Sequence, residues 1–243
     1  MLTIEICVDS LASVYACTEG GVDRIELCAG LVEGGTTPSA GFLKEARRIF
    51  PGRIMMMIRP RGGDFLYSPG EVDILCQDIR IAREGGADGV VFGCLTASGD
   101  IDQKITGRLV KEAADMDITF HRAFDVSRDP AASLESLISL GIPRVLTSGG
   151  RPSVPEGLDV IAALVRQSAG RITILPGGGI RAESVGGIVA ATGVTECHLS
   201  ARSPVESGMV HRRPDIPMGA TAVPGEYEQK VADASLIRLA KAS

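Results

Sequence analysis

One unit recurs eight times along the 243 residues: a short apolar run, a Gly-rich or polar turn, then a segment with helical patterning. The apolar runs fall at 3–8, 24–28, 53–58, 89–92, 118–121, 144–147, 171–175 and 196–199. Helical segments are predicted at 10–19, 39–49, 70–84, 102–114, 130–140, 155–168 and 181–190, with a last helix over 226–240. Strands that alternate with single helices pair in parallel through right-handed crossovers. Eight such units in roughly 250 residues are what a (β/α)8 barrel needs. An open doubly wound sheet is the rival, but the even spacing and the lack of a domain linker favour closure. The sequence therefore predicts one α/β domain, a TIM barrel over 1–243.

Strand parity then sorts side chains between the barrel interior and the helix-covered outside. In the first strand Ile4, Ile6 and Val8 share one face, and Glu5, Cys7 and Asp9 the other. The second strand repeats this, with Ile25 and Leu27 outside and Glu26 and Cys28 inside. Met55, Met57 and Arg59 share a face in the third strand, Thr119 and His121 point inward from the fifth, and Glu196, His198 and Ser200 from the eighth. One cavity is thus expected to collect Glu5, Glu26, Arg59, His121, Glu196 and His198. Buried charges need partners, so a structural ion-pair network is one reading. Six converging ionisable groups argue for a functional site.

The strand ends carry the second signal. The run 118–125, ITFHRAFD, ends in an imidazole, a guanidinium and a carboxylate within five positions. Such a strand delivers polar groups to the end of the sheet where parallel α/β proteins bind ligands. After the third strand comes RPRGGDFLYS, in which Arg59 and Arg61 suit bidentate contact with a carboxylate or phosphate. After the sixth comes TSGG with Ser148, and the seventh ends in PGGGI with Gly177, Gly178 and Gly179. Backbone N–H groups of such turns hold phosphates at the mouths of these barrels. Together they predict a small anionic ligand. The Pro/Gly-rich segment 202–225 reads as a lid-like loop before the last helix, with His211, Arg212 and Arg213 within it.

Composition excludes other classes. A formal net charge of −5 gives no electrostatic basis for binding nucleic acid. The longest apolar run, 160–165, is far too short to span a bilayer. The first residues enter a strand-like pattern with no basic region and apolar signal stretch, so a cytoplasmic protein is expected. The six cysteines form no CxxC pair, which in such a chain predicts free thiols. For metal, Cys7 and Cys28 point inward from adjacent strands, and soft thiolates select Cu(I). Barrel layers draw on alternate strands, which sets the two sulfurs at different heights, and cysteine is also a common small core residue.

The motifs IELCAGLVEGGTTPS, MIRPRGGDFLYS, GADGVVFG, TFHRAFD, RVLTSGG and ILPGGGI stand in order over most of the chain. Together they closely resemble the CutC family of copper homeostasis proteins. The resemblance implies a (β/α)8 barrel, a cytoplasmic location, a homo-oligomer (dimer or tetramer) and a role in copper binding or tolerance. It also implies Cu(I) ligation by cysteine, with Cys28 of IELCAG the matching residue. Two classes of function stay open at this point. One is a non-catalytic copper-binding protein using Cys28 and Cys7. The other is an enzyme acting on a small phosphorylated or carboxylated compound, with Glu26, His121, Glu5 and His198 as the acid-base set.

Overall fold

The computed structural model describes residues 2–216 and 227–243. Eight strands lie where the periodicity put them: β1 (Thr3–Val8), β2 (Arg24–Leu27), β3 (Arg53–Met57), β4 (Gly89–Phe92), β5 (Asp117–Phe120), β6 (Arg144–Thr147), β7 (Thr173–Pro176) and β8 (Glu196–Leu199). Neighbours in sequence are neighbours in the sheet, all pairs are parallel, and β8 returns to pair with β1. The remaining gap, between β7 and β8, is bridged at Gly177 and His198, which brings the barrel to closure. The (β/α)8 architecture predicted by the eightfold repeat is the one observed.

Among the described residues eight α-helices surround it: α1 (Leu11–Gly20), α2 (Ala40–Ile49), α3 (Pro69–Glu84), α4 (Gln103–Ala113), α5 (Pro130–Ser139), α6 (Val154–Ser168), α7 (Val185–Thr192) and α8 (Ala234–Ala242). Their starts follow from local chemistry. Ser10, Ser39, Ser68, Asp102, Asp129 and Asp233 each accept a hydrogen bond from a first-turn N–H that the helix leaves unpaired. Ser68 and Glu71 complete a reciprocal capping box at α3.

The end of the chain differs from expectation. Residues predicted to begin a long last helix form a strand instead, β10 (Glu228–Ala232), paired antiparallel with β9 (Arg202–Glu206). The helix cannot start earlier because Asp233 is its cap, its carboxylate accepting the Ser235 N–H at 2.8 Å. This hairpin packs beside α1, and Ser13 Oγ accepts the Ala232 N–H at 3.0 Å. Of the expected lid over 202–225, residues 202–206 are β9, and 217–225 lie outside the described residues. Arg212 bonds Glu206 and stacks on Tyr227, while Arg213 pairs with Asp215.

Parity holds through the barrel. Ile4, Ile6, Val8, Ile25, Leu27 and Phe120 belong to the large core between strands and helices. The interior holds a small apolar cluster of Cys28, Met55, Met57 and Val91. Its lower part carries an ion-pair network. From the floor upward, Asp117 pairs with Arg144, Arg144 with Glu196, Glu196 with Arg24, Arg24 with Glu5, and Glu5 with His198. Every cation in that chain touches two carboxylates, so no charge in it is left alone.

The barrel mouth

Above this network the interior opens into a cavity of about 240 Å³ at the C-terminal ends of the strands. Its wall carries Glu26, Arg59, His121, His198 and the Gly177–Gly179 backbone. The structure therefore brings together four of the six ionisable groups expected to converge. Glu5 and Glu196 point inward as parity requires, but they sit lower and are held by arginines. Register explains this: Glu5 lies level with Arg24, one layer below Glu26, while Glu196 lies level with Thr3 at the start of β1. Arg24 and Arg144 were not singled out from sequence. Parity would have found Arg24, since it shares a face with Glu26 and Cys28.

His121 leaves β5 and tucks over Gly93, whose missing side chain it needs: a Cβ there would lie 2.6 Å from the ring. Its Nδ1 accepts the Ala123 N–H at 3.2 Å. Burial, then the nearby Arg59 charge, pushes its pKa down to about 3. The ring is thus neutral, and with Nδ1 accepting, the proton sits on Nε2. That buried nitrogen has no partner.

Arg59 is placed at the mouth, but most of its guanidinium is spent on the protein. Nη1 donates to the carbonyls of Glu33 and Gly35, and Nη2 to that of Gly63. It ties the loop after β2 to the loop after β3, with its guanidinium 5.0 Å from the Phe65 ring. Phe65 in turn stands 4.9 Å from the His121 ring. Of the Arg59 nitrogens, Nε is buried without a partner among the described residues. Arg61 lies outside the cavity, because Glu71, Asp64 and the Leu66 carbonyl hold it on the surface over Tyr67.

Glu26 uses one oxygen. Its Oε2 accepts the Cys28 thiol at 3.3 Å and stands 3.8 Å from His198 Nε2, whereas Oε1 is buried with no partner. Burial, partly opposed by His198, pushes its carboxyl up. Burial works against charge on His198, but Glu26 first, and then the Cys7 and Glu5 side chains, outweigh it and hold the imidazolium well above its ordinary range. Glu5 is the converse: Arg24 and His198 overcome burial and hold it down at about 2. The ligand atoms of Glu5, Glu26 and His198 lie within 4.8 Å of one another. Two of the three are already joined to each other, Glu5 Oε1 and His198 Nδ1 lying 2.7 Å apart.

On the far side, Arg122 joins the wall, a residue quoted in its motif but given no role from sequence. Its Nε donates to Asp125 and its Nη2 to Ser148 Oγ. Asp125 also accepts the backbone N–H groups of Ser148 and Gly150 and the Thr147 hydroxyl. Ser148 thus stands behind Arg122 rather than on the cavity wall. The motifs FHRAFD and TSGG are two halves of one hydrogen-bonded clamp that aims Arg122.

The two candidate thiols differ in access. Cys7 lines the cavity, level with Glu26 across the β1–β2 pair. Cys28 is fully buried one layer higher, level with the end of β1, where its N–H donates to the Val8 carbonyl. The loop after β2 covers it. Gly35, at φ 94°, is needed there, since a Cβ would come within 3.3 Å of Cys28 Sγ and 3.5 Å of Met57 Cε. Burial pushes the Cys28 thiol well up, and Glu26 adds to that.

Fold and site together define a (β/α)8 barrel with a polar cavity at its C-terminal mouth, above an ion-paired interior. Residues 2–203 match the CutC family. The chain is 48% identical over 235 residues to the copper homeostasis protein cutC homolog of Mus musculus, covering 97% of this chain and 86% of that one. It is 47% identical over 239 residues to a CutC family protein of Porphyromonas gingivalis, covering 98% and 96%. The crystal structure of a CutC from Streptococcus agalactiae superposes with a TM-score of 0.79 at 36% identity, over 82% of this chain and 99% of that one. The chain belongs to the CutC family. A solved aldolase, at TM-score 0.62 and 15% identity, covers 81% of this chain and 89% of its own and shares the fold alone.

Proposed function

We propose that this protein acts in copper homeostasis by binding Cu(I) as cargo at the barrel mouth, through Cys28 with Cys7 and the thioether of Met57. The observation that carries the reading is the sulfur content of one corner of the interior. Cys28 and Met57 pack in one small cluster, and Cys7 and Met57 both line the cavity. Soft thiolate and thioether ligands select Cu(I) over the hard divalent cations. Two relatives carry copper homeostasis in their names, which supports the cargo. All six cysteines are unpaired, which fits a reducing compartment such as the cytoplasm.

The test is titration of the reduced protein with Cu(I) against a competing chelator of known affinity. Cys28→Ser is expected to weaken binding by on the order of 100-fold or more, since even outer-shell partners of metal ligands cost 10–100-fold. Cys7→Ser is expected to weaken it less. Unchanged affinity in both variants removes the proposal.

A further inference from the structure

Among the described residues, three buried polar atoms around the cavity lack partners: Glu26 Oε1, Arg59 Nε and His121 Nε2. Their residues are 3%, 6% and 4% exposed, so they present almost no open surface to bulk solvent. Such groups are costly to leave unpaired, and the same side-chain types are fully paired one layer below. The residues that carry all three line one cavity, so a ligand there would complete the set.

Their chemistry describes that ligand. His121 Nε2–H and Arg59 Nε–H are both donors, one neutral and one cationic, on side chains that flank the same Phe65 ring. Together they call for an anionic oxygen acceptor. Glu26 Oε1 calls for a hydroxyl, the one group that suits a carboxyl oxygen whether the carboxyl is ionised or not. The remaining wall, with Leu31, Phe65, Leu146 and Leu199, takes a short carbon skeleton. Arg122 at the rim adds positive charge over the opening. A volume of about 240 Å³ limits the ligand to a small molecule of roughly ten heavy atoms, since a cavity of about 150 Å³ already holds benzene.

We infer that the cavity binds a small hydroxycarboxylate, its carboxylate on His121 Nε2 and Arg59 Nε and its hydroxyl on Glu26 Oε1. This goes beyond copper binding and uses none of the sulfur atoms. The experiment is run on copper-free protein, so its outcome is independent of the Cu(I) titration. Glycolate, lactate and glycerate are titrated by calorimetry beside acetate, which lacks the hydroxyl, and ethylene glycol, which lacks the carboxylate. The 15N resonance of His121 Nε2 is followed in parallel.

The expected result is that the hydroxycarboxylates bind at least about tenfold more tightly than either control, and that His121→Ala or Glu26→Ala removes that preference. The His121 Nε2 resonance should move with saturation. Should His121→Ala fail to fold, Glu26→Ala and the wild-type resonance decide. Acetate binding as tightly as glycolate, no saturable binding at tens of millimolar, or an unmoved His121 resonance each overturns the inference.

Discussion

The floor and the mouth of this barrel are built from the same kinds of side chain and do opposite things with them. On the floor, Arg24 donates to both Glu5 and Glu196, and Arg144 to both Glu196 and Asp117. At the mouth, Glu26, Arg59 and His121 each keep one buried polar atom unused. Burial is alike in the two regions, so burial of charge does not by itself mark a site. What separates the two regions is how completely the groups are paired. A closed network costs little further free energy and fixes register, whereas an open one is strained until something arrives to close it.

The comparison breaks first if Arg24 is dispensable. Replacing it with Met removes the one group that holds both Glu5 and Glu196, leaving two carboxylates buried in the interior. Losing one partner of a buried pair typically costs about 3–5 kcal/mol, and urea unfolding should show a loss of that size for Arg24→Met. Glu26→Gln, one layer up, should cost clearly less, because Glu26 stands 3.8 Å from His198, which keeps its closer pair with Glu5 at 2.7 Å. Equal losses at the two positions would mean that mouth and floor are one structural unit.

Acid sharpens the same contrast with a smaller effect. His121 refuses in the folded state a proton that it accepts near pH 6.5 when unfolded, since its folded pKa lies at about 3. The unfolded chain therefore binds more protons below pH 6.5, and stability falls as pH drops from there toward 3. Glu5, held at about 2 against 4.5 when unfolded, adds a second loss that begins only below pH 4.5. His198 has the opposite sign: its contribution is complete below pH 6.5 and is lost as pH rises through its elevated folded value. Each acid contribution is on the order of a few kcal/mol. In His121→Phe the decline that starts at pH 6.5 should vanish, while the later one remains. An unchanged profile in that variant means the mouth histidine is not held neutral by its surroundings.

Much of this was legible from sequence because it depends on period alone. The eightfold repeat gave the barrel, and alternation gave the inward faces of β1, β2, β3, β5 and β8. Height along the barrel axis was not legible, because it depends on the stagger between strands, which alternation does not encode. That is why Glu5 and Glu196 were grouped with Glu26, though they belong to the network below it. Hydrogen-bond allegiance was equally hidden. Nothing in RPRGGDFLYS says that Arg59 turns back to three carbonyls, and nothing in FHRAFD says that Asp125 gathers TSGG. The stretch 226–240 misled for another reason: its polar alternation suits a strand, and Asp233 stops the helix from extending upstream.

The smallest expected effect concerns two arginines two residues apart. Arg59 fastens the loop after β2 over Cys28 by its bonds to the Glu33 and Gly35 carbonyls, and fastens the loop after β3 by its bond to Gly63. Arg61 holds only the surface turn around Asp64 and the start of α3, half-exposed to water. Exposed pairs of that kind contribute little. Arg59→Ala should therefore speed modification of Cys28 by a thiol reagent, because the loop carrying Gly35 loses its anchor. Arg61→Ala should leave both that rate and the unfolding midpoint near wild type. Mass spectrometry of the alkylated peptide that holds Cys28 reads the difference directly. If the two variants react alike, the covering loop is held by its own Ala29–Thr36 bridge, and Arg59 is as peripheral as Arg61.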